Sequence, residues 1–313
     1  MTISLVATDY SRAVQSMFEQ PTCTGSIHSV FHRAVNIAID GTMLALLSDE
    51  LPHMPNGVRL SSVVLEEQVQ GLRPGMEVWV GEGRLLIPDC DFSLRLPEEP
   101  PWEPRPEIEG YRWQSETVAH HVRLLARYLA DRPQRGGLAV LVGTLLLGQV
   151  GQEMPLARMA LPKLRLLALV AWQQDGTGVE EATRGLAGLG PGLTPAGDDV
   201  LAGFAAVMAL LSVQLSADAA PRGYLSEVVA AVARPRTTML SGVLLDYAAR
   251  GEVAEQVGEL LLALALPTEE SGVVLHAADK LLAFGATSGG DMLLGMLLGL
   301  KALEGEMDAR LKT

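Results

Sequence analysis

Two segments of this 313-residue chain carry residue types at spacings that can do chemistry. The first, Gly188 to Gly203, reads GLGPGLTPAGDDVLAG. Gly188, Gly190 and Gly192 free the loop to adopt positive φ and expose backbone amides, Thr194 followed by Pro195 reads as an N-cap and first helical residue, and Gly190, Gly192, Thr194 and Gly197 are ligand-binding candidates. Such a helix start attracts carboxylate or phosphate through its amides and its dipole. Asp198 and Asp199 share the same first turn, so a bare anion would be repelled. The pair must bind a cation, or accept hydrogen bonds from an amide NH₂ or a hydroxyl. The site should therefore suit a ligand that carries an anionic group together with a donor, an amide NH₂ or a hydroxyl.

The second segment, Ala286 to Gly299, reads ATSGGDMLLGMLLG and repeats the logic. Thr287 and Ser288 are caps, Gly289 and Gly290 follow, and Asp291 opens an apolar helix. Asp199 to Gly203 and Asp291 to Gly295 share the spacing Asp-x-x-x-Gly, an internal pseudo-repeat. If the two helix starts face each other, a Thr-Gly-Asp cluster from each lines one pocket between helices. Asp198, Asp199 and Asp291 are the candidate catalytic residues. An aspartate in a first helical turn is also what the dipole favours, so a purely capping role stays open.

A third polar run, Arg234-Pro235-Arg236-Thr237-Thr238 with Ser241, precedes another helix. Arg236 can supply the positive charge that the aspartates lack, and Thr237 and Thr238 can donate hydroxyls. Asp198 and Asp199 would be the ligands if Mg²⁺ is a cofactor, because clustered carboxylates beside hydroxyls hold a hard cation through water. Among the six histidines none has metal-ligand spacing. His28 sits in a strand-like run where alternation puts it on one face and Ser29 on the other. Both join the ligand-binding candidates, while His120, His121 and His276 read as helix-surface or hydrogen-bonded core residues. No nucleophile elbow, P-loop lysine or dinucleotide fingerprint is present.

The elements that must position these groups change character along the chain. From about Ser26 to Leu96, short Val/Ile/Leu runs such as GVRLSSVVL and MEVWVGEGRLLIP alternate with turn residues, predicting five or six strands in a small barrel or rolled sheet. Asp40-Gly41 and Gly81-Glu82-Gly83 mark tight hairpins. Pro97 to Pro106, PEEPPWEPRP, predicts an extended linker. The expected division is a mainly β domain over 1–96, a proline-rich linker over 97–113 and an α-helical domain over 114–313. Helical periodicity then predicts nine helices, among them Gln114 to Ala130, Gly137 to Gly148 and Pro155 to Gln174. The helices after Asp199 and Asp291 are apolar on nearly every face, so they are expected at the centre, with Gly203, Gly295 and Gly299 at tight crossings. The fold class is α+β.

Composition bounds the partners. Hydrophobic residues at 48% against 19% charged give enough apolar material for real cores. A net charge of −13 opposes phosphate backbones and anionic lipid, so neither nucleic acid nor a membrane surface is an expected partner. Two isolated cysteines, Cys23 and Cys90, fit a reducing cytoplasm. The first residues lack a basic start and apolar core, so no secretory signal is expected. The longest apolar runs, such as Val200 to Val213, fall short of a bilayer span.

The segments GLGPGLTPAGDD, TSGGDMLLG and RTTMLS, with HSVF followed by Ala34-Val35-Asn36-Ile37, together resemble the AllH-like family across nearly the whole chain. The family includes one subunit of bacterial oxamate carbamoyltransferase, alongside members of unknown function. The resemblance implies a role in purine or allantoin nitrogen catabolism: carbamoyl transfer between oxamate or oxalurate and phosphate, together with other carbamoyltransferase subunits. A noncatalytic metabolite-binding or scaffold subunit, or a Mg²⁺-assisted carboxylase-like enzyme, are the competing expectations.

Overall fold

A computed structural model of the chain describes residues 3–132, 136–150, 154–215 and 222–304. The chain divides into two compact units, Met1–Pro104 and Arg105–Thr313.

In the first unit nine strands among the described residues form one sheet. They are β1 Ile3–Val6, β2 Asp9–Tyr10, β3 Cys23–Phe31, β4 Ala34–Ile39, β5 Thr42–Ser48, β6 Gly57–Leu60, β7 Glu77–Gly81, β8 Arg84–Ile87 and β9 Phe92–Arg95. Their order across the sheet is β1-β9-β8-β7-β3-β4-β5-β6-β2. The edge strands β1 and β2 are separated only by Ala7 and Thr8, whose amides reach the Arg95 and Arg59 carbonyls at opposite edges. One short segment thus ties both edges, which forces the sheet to curl into the rolled form expected. Asp40 (φ 45°) with Gly41 (φ 75°), and Glu82 (φ 50°) with Gly83 (φ 81°), make the two hairpin turns. Paired left-handed residues match the strand twist there.

Helices α1 Arg12–Glu19 and α2 Ser62–Val69 were not expected from the sequence. Val14 and Phe18 of α1 and Leu65 of α2 join Ile27, Ile37, Leu46, Leu85 and Phe92 in the core of this unit. The run GVRLSSVVL is a strand only as far as Leu60. Ser62 starts α2. Within the proline-rich run, Trp102 accepts from the Arg12 amide and donates to the Tyr10 carbonyl, and its ring stacks on His53 at 4.9 Å. This part of the run therefore lies on the first unit as added edge pairing and is not a free linker.

The second unit is helical: α3 Ser115–Ala130, α4 Pro155–Trp172, α5 Gly176–Leu186, α6 Ala196–Leu215, α7 Tyr224–Ala233, α8 Met239–Ala249, α9 Glu255–Ala263, α10 Ser271–Leu282 and α11 Ser288–Leu303. The segment Gly137 to Gly148, expected as an α-helix, is instead a 3-10 turn at Ala139–Leu141 and a single π-helical stretch at Gly143–Leu147. Positive φ at Gly136, Gly137 and Gly148 breaks the α geometry at both ends. α5 was not expected, because its three glycines argue against a helix.

α6 and α11 are buried on all faces and form the centre. By length and composition α6 could cross a membrane, longer than the apolar run had indicated, yet 83% of its most apolar window is buried within the unit. The two helices run parallel, since their contacts advance together: Val200 against Gly295, then Val207 against Gly299. A Cβ at Gly203 would lie 2.1 Å from the Met292 carbonyl oxygen, and one at Gly295 would lie 1.9 Å from that of Val200. The tight crossings expected at these glycines are therefore present. They are reciprocal, because each glycine seats the residue that follows the other helix's aspartate.

Candidate functional site

Because α6 and α11 are parallel, both helix starts lie at one end of the pair. Thr194 Oγ1 and Ser288 Oγ are 3.4 Å apart across that end. The two sequence motifs therefore meet. Thr194, Thr287 and Ser288 are half-buried, whereas Asp198, Asp199 and Asp291 are 2%, 3% and 0% exposed. The hydroxyl-bearing residues are thus the more accessible and the carboxyls the more deeply buried.

The three carboxyls have different partners. Asp198 Oδ1 accepts from the Gly188 amide at 2.8 Å, and its Oδ2 accepts from the Thr237 hydroxyl. Burial pushes its pKa up, opposed by hydrogen bonds from Thr237, Gly188 and Ser241. Asp291 Oδ1 accepts from the Leu138 and Ala139 amides at 2.6 and 2.8 Å. Its Oδ2 is buried with no hydrogen-bond partner among the described residues, and burial, opposed by those amides and the Thr287 hydroxyl, raises its pKa to about 6. Asp199 likewise buries an Oδ2 with no hydrogen-bond partner among the described residues. Burial raises it to about 8, opposed by a hydrogen bond from Ser288 and reinforced by the charges of Asp291 and Asp198. An orphaned buried oxygen costs free energy unless a proton or a ligand compensates it.

The spacing equated Asp199 with Asp291, but the backbone donors equate Asp198 with Asp291: each holds amides presented by a left-handed glycine loop. The loop Gly136 to Ala139 was missed as a site element because a double glycine before an apolar run reads as the start of a helix. Gly137 (φ 70°) packs its backbone on the Asp291 carboxylate, where a Cβ would lie 2.5 Å from Oδ2.

The glycine-rich loop holds its own amides more than expected. Gly197 donates to the Leu189 carbonyl, and Asp198 and Asp199 both donate to that of Pro195. Pro195 therefore occupies the position expected of Thr194, whose hydroxyl instead faces Ser288. At the second start the Gly289 and Asp291 amides go to Phe284 and Thr287. Thr287 stands at the cap position but makes no side-chain capping bond, and Gly289 and Gly290 are buried, with a Cβ at Gly289 falling 1.9 Å from the Leu281 carbonyl oxygen of α10.

Thr237, Thr238 and Ser241 brace the first loop. Thr238 caps α8 by accepting from the Ser241 amide, and both the Thr238 and Ser241 hydroxyls donate to the Leu193 carbonyl, at 2.6 and 3.3 Å. With Thr237 on Asp198, this bracket fixes a loop whose Gly190 (φ 123°) and Gly192 (φ 100°) leave it little stiffness of its own. Thr237→Val should cost about 1–2 kcal/mol by stripping a donor from a buried carboxylate. Amide exchange at Gly188 to Leu193 should accelerate while that of α11 stays unchanged. Uniform exchange across both would contradict the bracket.

Other expected residues lie differently. Arg236 is exposed and donates to the Val232 carbonyl at 2.8 Å, capping the end of α7 instead of supplying charge to the aspartates. His28 and Ser29 belong to the first unit. A bulge between Ile27 and Ser29 breaks the alternation expected there, and the two side chains meet at 3.3 Å instead of pointing to opposite faces. Asn36 also donates to Ser29 Oγ at 2.9 Å. His121 is a buried core residue, 3.2 Å from the Leu264 carbonyl, with its pKa lowered by burial. Among the described residues no three His, Cys, Asp or Glu side chains gather as a metal site. Asp198 and Asp199 turn to separate partners, so the Mg²⁺ arrangement expected of this pair finds no support in their geometry.

A curled β unit followed by a helical unit with an acid pair at two convergent helix starts defines the class of protein. A family model described as "Oxamate carbamoyltransferase subunit AllH" matches residues 186–300, spanning both helix starts. One described as "AllH family N-terminal domain" matches residues 5–99, spanning the sheet. The chain belongs to the AllH family. The Gly136 to Ala139 loop lies outside both matches. No solved structure matches the chain.

Proposed function

We propose that this chain supplies the carbamoyl-binding half of an oxamate carbamoyltransferase active site, and works with partner subunits in purine or allantoin nitrogen catabolism in the cytoplasm. The observation that carries this reading is the pair of unpartnered, fully buried oxygens on Asp199 and Asp291, set behind the hydroxyls of Thr194 and Ser288. Buried carboxyl oxygens lacking partners suit a carbamoyl group, whose NH₂ offers two donors to an ionised carboxylate and whose oxygen and nitrogen can face a protonated one. The transfer itself requires orientation and charge stabilisation more than a protein nucleophile.

The anionic end of the substrate is a different matter. The amides at both helix starts are largely engaged within the chain, and Arg236 turns to Val232. We assign phosphate binding to a partner subunit, in keeping with the word "subunit" in the description of the family. Thermal-shift titration of the purified chain tests the reading, because binding to the folded state raises its melting temperature. Oxamate or oxalurate should raise it in the wild type and not in Asp199→Ala, whereas phosphate should leave it unchanged. A phosphate shift with no response to the amides would overturn the assignment. Turnover should appear only when the other subunits are added, and a fully assembled complex that turns over normally with Asp199→Ala would reduce the chain to a scaffold.

A further inference from the structure

The buried carboxyls of Asp199 and Asp291 are not equivalent, and the difference lies in what their neighbours donate. Asp291 is fixed by two backbone amides from the Gly136 to Ala139 loop, donors that persist whatever the side chain does and that hold it as a carboxylate. Asp199 has no such backbone donor among the described residues: its Oδ2 is buried without a hydrogen-bond partner there, and its neighbours are the Ser288 hydroxyl and the carboxyls of Asp291 and Asp198. Two acids at a dry site with fixed donors on one alone will place a shared proton on the other.

We propose that Asp199 carries a proton and delivers it to the departing nitrogen during carbamoyl transfer, while Asp291 remains ionised and orients the carbamoyl NH₂. This rests on the carbamoyl reading above and adds the acid that the chemistry requires. In transfer from a ureido substrate to phosphate, a hydrogenphosphate oxygen forms the new C–O bond at the carbamoyl carbon. The C–N bond breaks, and its electron pair goes to the nitrogen. That nitrogen takes the Asp199 proton and leaves as a neutral amide. The proton of the hydrogenphosphate then returns to Asp199, so the acid is restored and the products are the amide and carbamoyl phosphate. Without the proton, an amide anion would have to depart.

The experiment has two arms. Infrared spectra of the full-length chain at neutral pH read the carbonyl stretch of a protonated carboxyl. The band should be present in the wild type, absent in Asp199→Asn and retained in Asp291→Asn. Its absence from the wild type, or its survival in Asp199→Asn, overturns the proposal irrespective of any activity. In the assembled complex, Asp199→Asn should lose at least about 100-fold in turnover of oxalurate with phosphate, the scale of a missing general acid. It should lose less than about fivefold with 4-nitrophenyl carbamate, whose leaving group departs without a proton. Equal losses on both substrates overturn the acid role. A protonated band with no carbamoyl transfer in the wild-type complex overturns the carbamoyl reading and the step built on it, so the two failures are distinguishable.

Discussion

Asp199→Asn is expected to raise the stability of the chain at pH 8, and the gain should fade to nothing near pH 4. The folded state holds the Asp199 proton up to about pH 8, against an ordinary value of 3.8. Below pH 4 both states are protonated and the residue contributes no pH dependence. Between about 4 and 8 the unfolded chain loses the proton that the folded chain keeps, so stability falls as pH rises. Above 8 the folded state must also ionise, and the full cost is in place. The slope is roughly 1.4 kcal/mol per pH unit where only the unfolded state has ionised. Asparagine has nothing to ionise, so its advantage grows through that window to several kcal/mol. Asp291, raised to about 6, adds a loss of the same sign at lower pH in both proteins and does not reverse the comparison. Urea denaturation of the two chains from pH 4 to 8 measures it. A variant no more stable than the wild type at pH 8 would show that Asp199 is ionised and compensated in the folded protein. Such a cost at neutral pH is what the proposed ligand role would account for, because folding alone would be served better by an amide.

Asp291 is a contrasting case, although the spacing made the two aspartates look alike. Its removal would leave the Leu138 and Ala139 amides buried without an acceptor. Asp291→Ala should therefore cost about 1–3 kcal/mol of stability as well as function.

How far the sequence could be read followed from which contacts are local. The central helices were legible because α6 and α11 are apolar on every face, and their glycines announced a crossing. The two hairpins were legible because Asp40-Gly41 and Glu82-Gly83 are residues that tolerate left-handed φ. What was hidden depended on distant partners. Nothing near Gly137 in the chain shows that its loop closes on Asp291, about 150 positions later. α5 carries glycines that argue against a helix, and at one of them, Gly178, an added Cβ would lie 2.5 Å from Cγ1 of Val170 in α4 and 2.7 Å from Oδ2 of Asp175. The bulge at His28 likewise has no sequence signature, and one extra residue there reverses the faces that alternation assigns. Arg236 looked like an anion-binding cation because its type is right, and its use on the Val232 carbonyl is set by the path of the chain after α7.

The largest structural effect is expected at the crossing itself. Gly295→Ala places a methyl group 1.9 Å from the Val200 carbonyl oxygen, and Gly203→Ala places one 2.1 Å from that of Met292. Both obstacles are backbone, which no rotamer change can clear. The helices must separate by more than about 1 Å at the point where their starts hold the acid pair, and overpacking of this kind costs about 1–3 kcal/mol or more. Alanine returns about 1 kcal/mol of helix propensity, which offsets only part of that cost. Gly299→Ala should be milder, since its methyl group would meet the Val207 side chain at 3.0 Å. Gly272→Ala, which faces open space in α10, should be neutral or slightly stabilising. Melting temperatures of the four variants should therefore rank Gly272 above Gly299, and Gly299 above Gly203 and Gly295. The double variant Gly203→Ala with Gly295→Ala should cost less than the sum of its parts, because the first separation already makes room for the second. Binding of oxamate should fail in the two crossing variants at temperatures where they remain folded, since the distance between Asp199 and Asp291 is set by this contact. Full binding in a folded Gly295→Ala chain would mean that the acid pair is positioned by its loops alone, with the helix crossing serving only stability.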